Sequence, residues 1–103
     1  MYMSRVVLYP QLGKERELQQ HLEAWVKSRQ GKGRKIGLST QRFAAEGTVL
    51  VVVARLAGLA EYEQMTRDNA TDRDFQAFVA KTATLTRQPP RFELLEVVIP
   101  IQD

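Results

Sequence analysis

The run Val49-Leu50-Val51-Val52-Val53 constrains the fold more than any other part of the sequence. Valine favours strands, and so short an apolar run is far below the roughly 20 residues of a membrane-spanning helix. A strand that is apolar on both sides belongs at the centre of a sheet, because both of its faces must be covered. The chain is therefore expected to build a sheet with neighbours on both edges of this strand.

Strand and helix patterns alternate on either side of the valine run. The predicted strands cover residues 4–9, 35–44, 48–56 and 92–99, and the predicted helical regions cover residues 14–29 and 61–69, with a restart from Thr71. Leu18, Leu22 and Trp25 recur at helical spacing on one stripe of the first helix. Thr71 and Asp74 resemble a capping box that opens the second half of the broken helix.

The order of these elements, β-α-β-β-α-β, is typical of the split βαβ or ferredoxin-like arrangement. Glu46-Gly47 is a turn signal, and it predicts a hairpin between the second and third strands. We therefore expect an α+β fold in which residues 1–103 form one domain. Its sheet would be four-stranded and antiparallel, with both helices on one face and the second helix broken in two.

The sheet face that the helices leave uncovered is also expected to be apolar. Side chains alternate between the two faces of a strand. The apolar residues expected on the uncovered face are Val7, Val51, Val53, Leu94 and Val98. Such a face exceeds the apolar patch that monomers usually expose, and two sheets packed face to face would cover each other. The sequence therefore predicts a homodimer.

The absence of cysteine limits the chemistry of the chain. It excludes disulfides, thiolate catalysis and cysteine-ligated metal centres, and it fits a reducing compartment. The N-terminus lacks the charged segment and long apolar segment of a signal peptide. These features predict a cytoplasmic protein with no membrane segment.

The formal net charge is +3, and the stretch between Ala24 and Ala45, which has no acidic residue, contains six of the 15 basic residues. They are Lys27, Arg29, Lys32, Arg34, Lys35 and Arg42. The stretch has no nucleic-acid-binding motif and no interleaved aromatic residues, and its glycines lack phosphate-loop spacing. A solvated loop is the favoured interpretation, and binding of nucleic acid or another anion is the alternative.

The second helical region carries the most specific pattern. It reads Tyr62-Glu63-Gln64-Met65 and then Asn69-Ala70-Thr71-Asp72-Arg73-Asp74-Phe75-Gln76-Ala77-Phe78-Val79-Ala80-Lys81. The acidic-x-acidic-aromatic pattern within it resembles the broken second helix of the dimeric α/β-barrel superfamily, in its NIPSNAP-like and antibiotic-biosynthesis-monooxygenase-like members. The resemblance covers essentially the whole chain and implies a ferredoxin-like dimer. It does not fix the activity, because the superfamily includes monooxygenases, isomerases and haem-degrading enzymes.

The haem-degrading members use an Asn, a Trp and a His, with the His on the second helical region. Here the only histidine, His21, and the only tryptophan, Trp25, both lie on the first helix. This departure argues against haem degradation, and no cofactor is expected. His21 also lacks partners at metal-ligand spacing, so an amphipathic helix border is favoured over a metal ligand or a general base.

Polar residues on the uncovered sheet face form the first candidate site. Alternation is expected to gather Arg5, Tyr9, Arg55 and Glu96 in an otherwise apolar cleft, as in small-molecule sites. Tyr9, Arg55 and Glu96 are the candidate catalytic residues: Tyr9 would donate a hydrogen bond to a carbonyl or enolate, and the Arg–Glu pair would hold substrate charge. Arg5 is a candidate substrate-binding residue. The alternative is a structural ion pair between Glu96 and one of the two arginines.

Helix residues form the second candidate set. Tyr62, Met65 and Asn69 are expected to form a cleft wall on the helix side, and Trp25 is expected to line a pocket or the dimer interface. All four are candidate substrate-binding residues, and the alternative is that they are ordinary core.

Two functions remain open on this basis. The first is a dimer that binds a small hydrophobic or aromatic ligand, as a cofactor-independent monooxygenase or isomerase of an aromatic or enolisable compound. The alternative is a non-enzymatic dimeric interaction module with a filled interior. An open cleft with unpaired polar groups favours the first, and a filled interior favours the second.

Overall fold

The structure is a computed structural model that describes residues 1–41 and 47–102. Its elements are β1 (Tyr2–Leu8), α1 (Glu15–Gly31), β2 (Ile36–Gln41), β3 (Val49–Leu56), α2 (Leu59–Thr71), α3 (Arg73–Leu85) and β4 (Arg91–Glu96). This is the predicted order, and the second helical region is broken in two as predicted. Among the described residues, no helix has both the length and the apolar character needed to cross a membrane.

The four strands form one antiparallel sheet in the order β2-β3-β1-β4. β3 pairs with β2 on one edge and with β1 on the other, so the valine run lies in the interior of the sheet. The predicted hairpin is confirmed by the pairing of β2 with β3, from Ile36 opposite Ala54 to Gln41 opposite Val49. Residues 42–44 of the predicted second strand, which include the basic Arg42, and Glu46 of the predicted turn lie outside the described residues.

The ends of α1 follow from local chemistry. Glu15 and Glu17 lie in its first turn and Arg29 lies in its last turn, so the side-chain charges complement the helix dipole. Gly33, just beyond the helix, has a φ of 83°. A residue with a β-carbon adopts that conformation rarely, which explains why glycine ends this helix.

The cap of α3 differs from the prediction. Asp72, and not Thr71, is the N-cap, because its Oδ1 accepts hydrogen bonds from the backbone N–H groups of Asp74 (2.9 Å) and Phe75 (3.3 Å). Thr71 is the last residue of α2. The Asp72 carboxylate therefore marks the break between α2 and α3, and it caps only α3.

The main core lies between the sheet and the helices. Leu18 and Leu22 of α1 and Leu85 of α3 pack against Leu8 and Leu50 of the two inner strands. Both helices therefore cover the same face, as the ferredoxin-like arrangement requires. We call this face of the sheet the helix face.

The opposite face, which we call the open face, carries a second apolar cluster. Val7, Tyr9, Val49 and Val51 are buried there, with Val53 packed against them. The prediction of a fully bare face is therefore wrong in part: Val7 is only 1% exposed and Val51 only 4%. The alternation predicted for β1 and β3 is confirmed, because Val6, Leu8, Leu50 and Val52 belong to the other cluster.

The prediction of which side chains of the last strand lie on each face of the sheet is wrong. Leu94 lies opposite Ser4 and Glu96 opposite Tyr2, and residues directly opposite in an antiparallel pair share a face. Leu94 and Glu96 therefore lie on the helix face, whereas Glu93 and Leu95 lie on the open face. β4 also ends at Glu96, so Val98 is not a strand residue and is 87% exposed.

Candidate functional site

A cleft of about 1390 Å³ lies between the helix face of the sheet and the helices. Residues on the floor are Val6 and Leu8 of β1, Val52 and Ala54 of β3, and Phe92 of β4. No residue of α2 is buried, so α2 forms an outer wall and does not pack closely on the sheet. Pockets for small molecules are typically about 300–1,000 Å³, so this cleft has room for a compound of several rings.

An aromatic column stands on one side of the cleft. The Phe78 ring stacks on Trp25, with ring centroids 4.3 Å apart and 13° between the planes, and on His21 at 4.8 Å. Phe75 touches Trp25 in a tilted arrangement at 5.9 Å. Trp25, Phe75 and Phe78 all line the cleft. Because the rings of Trp25 and Phe78 are stacked within the column, they offer the cleft mainly their edges, against which a flat ring can pack edge to face.

Arg29 extends this column at the end of α1. Its Cζ lies 3.8 Å from the centre of the Trp25 ring, which is a close cation–π contact. Its Nη2 donates to Asp72 Oδ2 at 3.1 Å. Asp72 thereby caps α3 with one oxygen and binds Arg29 with the other, which ties the end of α1 to the α2–α3 break.

Hydrogen bonding lowers the pKa of Asp72 below its ordinary value. Desolvation by itself acts in the opposite direction and would raise the pKa. It is outweighed by the backbone N–H groups of Phe75 and Asp74 and by the hydrogen bond and charge of Arg29. The Arg29–Asp72 pair is therefore ionised at neutral pH.

His21 supports the column from outside the cleft. Its Nε2 lies 2.9 Å from Thr82 Oγ1 and 3.3 Å from the Phe78 carbonyl oxygen. The carbonyl can only accept, and the Thr82 hydroxyl already donates to it at 2.7 Å, so Nε2 carries the proton. Desolvation lowers the pKa of His21; the hydrogen bond to Phe78 opposes this shift and the charge of Lys81 adds to it.

The cleft wall formed by α2 is less apolar than the aromatic column. Tyr62, Met65 and Asn69 recur at helical spacing, line the cleft and are the partly buried residues of this helix. In the described part of the chain, the side chains of Tyr62 and Asn69 have no hydrogen-bond partner. The phenol hydroxyl and the amide are therefore available to a ligand.

The structure separates the residues of the first candidate site. Arg5 lies on the open face, where it pairs with Glu93 at 3.4 Å, and Glu96 lies on the helix face. Tyr9 is buried on the open face beside Arg87, whose Cζ is 5.6 Å from its ring. Arg55 is exposed at the rim of the cleft, where β3 ends. The expectation that these residues converge is wrong because the register of β4 reverses the facing of Glu96; their catalytic roles stay predictions.

The second candidate set is brought together. Trp25, Tyr62, Met65 and Asn69 all line the cleft, on two different helices. The cleft is on the helix face, where the wall formed by Tyr62, Met65 and Asn69 was expected; the cleft expected on the uncovered face belonged to the first candidate site. The position of the observed cleft follows from α2, which leaves space above β1 and β3 that the shorter side chains of the sheet do not fill.

Two residues central to the cleft were not among the candidates. From the sequence, Arg29 is only part of the basic stretch, and Phe78 is only part of the pattern in the second helical region. A spacing signal for Arg29 was present, because His21, Trp25 and Arg29 follow one another at intervals of four and so share one side of α1. Among the described residues, no group of three or more His, Cys, Asp or Glu side chains could hold a metal ion.

Comparison with solved structures identifies the fold. The chain is similar to Rv0793 from Mycobacterium tuberculosis, with a TM-score of 0.66 and 14% identity over 99% of this chain and 96% of that one. It is similar to NE2512, a protein of unknown function from Nitrosomonas europaea, with a TM-score of 0.69 and 20% identity over 99% and 93%. It is also similar to an antibiotic biosynthesis monooxygenase, with a TM-score of 0.69 and 10% identity over 97% and 100%.

No protein-family model and no curated protein matches the chain. The chain shares the ferredoxin-like fold of the antibiotic-biosynthesis-monooxygenase-like structures. The predicted resemblance to that group is therefore confirmed at the level of the fold, and nothing in the comparisons supports the NIPSNAP-like part of it.

Proposed function

We propose that the cleft binds a small aromatic compound and that the chain oxygenates it without a bound cofactor. The observation that carries the proposal is the open cleft itself, whose lining surface is mainly apolar and includes Trp25, Phe75 and Phe78. The alternative, an interaction module with a filled interior, requires side chains to occupy this space.

The proposed chemistry is a monooxygenation in which the substrate supplies the electrons. The similarity of the fold to that of an antibiotic biosynthesis monooxygenase supports this class of reaction. An electron-rich phenol such as 1-naphthol can react with O₂ to give 1,4-naphthoquinone and water, so that one oxygen atom enters the ring and the other leaves as water. The protein then has to orient the ring, limit access of water and stabilise the phenolate.

Tyr62 and Asn69 are the residues proposed to face the reacting oxygen. Both are on the wall opposite the floor of the cleft, and both have a free donor. A donor placed near the developing phenolate stabilises it in a site with little water. The aromatic column would hold the ring by edge-to-face contacts.

The test uses 1-naphthol as the probe. Binding is measured by calorimetry, and turnover is measured by oxygen uptake together with quinone absorbance, with catalase present to report any peroxide. We expect one quinone per O₂ and no peroxide. Trp25→Ala should weaken binding by about 2- to 10-fold, because an aromatic contact contributes roughly 0.5–1.5 kcal/mol beyond its area. The control Leu12→Ala, at a residue that is 97% exposed, should bind as the wild type does.

The same assay compares the cleft with the first candidate site. Tyr9→Phe and Glu96→Gln alter residues that do not line the cleft, so they should leave the affinity for 1-naphthol unchanged. If these two variants lose affinity while Trp25→Ala keeps it, the compound binds elsewhere and the cleft proposal fails.

We also propose that a second copy of the chain covers the open face. Supporting this, Leu95 on that face is 42% exposed, and the residues after β4 expose further large apolar side chains: Val98, Ile99 and Ile101. Val53→Glu places a charge in this face and should convert a dimer to monomers in sedimentation velocity. A wild-type chain that sediments as a monomer at high concentration would refute the homodimer.

A further inference from the structure

Part of the basic stretch lies at the edge of the cleft. Arg34 and Lys35 line the cleft, and so does Arg55 at the end of β3. The backbone N–H of Arg55 donates to the carbonyl oxygen of Lys35 at 2.9 Å, which continues the pairing of β2 with β3 by one position. Lys35 and Arg55 therefore lie opposite each other, beside Arg34. We call these three residues the cationic mouth of the cleft.

The cationic mouth has no acidic partner in the part of the chain that the structure describes. Its three side chains are exposed, and none of them forms an ion pair with a described carboxylate. Like charges directly opposite each other on neighbouring strands destabilise the pair. The fold therefore holds Lys35 and Arg55 together against their repulsion, and an anion bound beside them would offset it.

The other charges near the cleft are already bonded. Glu61 and Asp68 line the α2 side. Glu61 accepts from the backbone N–H of Ala57 at 2.6 Å, and Asp68 accepts from a glutamine of the same helix at 2.8 Å. At the end of α1, Arg29 is paired with Asp72. The positive charge left without a partner on this side of the cleft is therefore that of the cationic mouth.

The position of the cationic mouth favours a small ligand over nucleic acid. Ile36 and Ala54 are the next residues along β2 and β3, lie opposite each other and line the cleft. A molecule with an apolar body in the cleft and an acidic group at one end can therefore contact both regions. Nucleic acid instead requires a basic surface that follows a run of phosphates, and these three cations are confined to one corner of the sheet.

We propose that the cationic mouth binds an acidic group of the compound whose aromatic body lies in the cleft. The ligands of this chain would then be aromatic compounds with an anionic group at one end. This inference rests on the proposed function, because it needs an aromatic ligand in the cleft, and it adds the contact that orients that ligand. The contact is exposed to solvent, so it should be modest and should depend on salt.

The experiment compares 2-naphthylacetate with its uncharged and similarly shaped amide, 2-naphthylacetamide. Affinities are measured by calorimetry at ionic strengths of roughly 0.01 M and roughly 1 M, where the Debye length is about 30 Å and about 3 Å. At the low ionic strength, we expect the wild type to prefer the acid by about threefold to tenfold, because exposed ion pairs are individually weak but three cations act together. Most of the preference should disappear at the high ionic strength.

A double variant tests the residues themselves. Lys35→Met with Arg55→Met keeps two long side chains but removes their charges, and should abolish most of the preference at the low ionic strength. The control, Arg16→Met with Lys81→Met, removes the same charge from two exposed residues that do not line the cleft, and should retain the preference. A preference that survives in the first variant, or falls equally in both, overturns the role of the cationic mouth.

Glu61→Gln provides a test that keeps every cation. Glutamine retains an oxygen that can accept from the Ala57 N–H group, so the contact at the start of α2 is preserved. The variant removes a negative charge two residues beyond the end of β3, where Arg55 lies. The preference for 2-naphthylacetate should rise by about twofold. Cations that serve only to keep the surface solvated predict no change.

The outcomes separate this inference from the proposed function. Equal affinity of the wild type for the two probes at the low ionic strength overturns the anion site and leaves the aromatic cleft standing. Binding of neither probe overturns the cleft itself. If the double variant does not fold, as judged by the loss of cooperative urea unfolding, the Glu61→Gln comparison and the salt dependence of the wild type decide.

Discussion

The two faces of the sheet are built from the same strands but differ in what lies next to their polar groups. On the open face, Glu93 lies within 3.4 Å of both Arg5 and Arg91. Arg5 is opposite Glu93 on β1, and Arg91 precedes it by two residues on β4, so opposite charges are direct neighbours. On the helix face, polar groups line a cleft and several keep unused donors, among them Nε of Arg29. The difference arises because strands bring neighbouring side chains into contact directly, whereas the helices leave a gap.

The difference in packing among the helices indicates where a site can form in this fold. The inner strands pack tightly against α1 and the end of α3, and Leu18 and Leu22 have no exposed surface. α2 has no buried residue, and the cleft lies beside it. The candidate site is therefore found where one layer is incompletely packed, next to a core that holds its walls in place.

The largest expected effect tests the packed part of the helix face. Leu22→Ala should lower the free energy of unfolding by about 2–5 kcal/mol, as for other buried leucines. Leu12→Ala changes the same side chain where it is 97% exposed, and should stay within about 0.5 kcal/mol of the wild type. Urea unfolding measures both, and similar losses in the two variants would contradict the assigned core.

The next largest expected effect compares the two faces of β3. Val51 is buried on the open face, and its neighbour Val52 lines the cleft on the helix face. Val51→Ala should lower the free energy of unfolding by about 1–3 kcal/mol without changing the affinity for 1-naphthol. Val52→Ala should cost less stability and change the affinity. Reversal of the two results would place the ligand on the open face.

The next effect depends on pH and concerns His21. Its pKa is lower in the folded chain than in the unfolded one, so the unfolded state binds more protons and stability rises with pH. The free energy of unfolding should therefore decrease as the pH falls from neutral through about 6.5, the pKa of histidine in the unfolded chain, towards the lower pKa of the folded chain. Urea midpoints at neutral and mildly acidic pH measure this loss.

His21→Gln is the matched control for that experiment, because glutamine keeps an N–H donor for Thr82 but does not titrate in this range. Its midpoint should change less than that of the wild type between the two pH values. An equal change would mean that His21 is not the group responsible.

The smallest effect tests the open face. A double-mutant cycle with Arg5→Met and Glu93→Gln should give a coupling energy of about 0.2–1 kcal/mol, because both side chains remain partly exposed. Added salt should reduce it. A coupling that is large and insensitive to salt would instead show that the pair is buried in solution, as it would be beneath a second copy of the chain.

Much of the fold could be predicted because it depends on local patterns. Helix α1 follows from the stripe of Leu18 and Leu22, and the interior position of β3 follows from its valines. The four cleft residues on helices, Trp25, Tyr62, Met65 and Asn69, were found by the same spacing and by family resemblance. The expected convergence of Arg5, Tyr9, Arg55 and Glu96 was wrong because it required knowing how two distant strands are aligned.

Local sequence patterns set the order of the elements, the alternation within each strand and the side of each helix that faces inwards. Each of these follows from repeats of 2 or 3.6 residues along the chain. Only the tertiary structure decided that Glu93, and not Glu96, meets Arg5, and that Arg29 meets Asp72, 43 positions away. A shift of one residue in pairing moves every side chain of a strand to the other face, and no local repeat fixes that register.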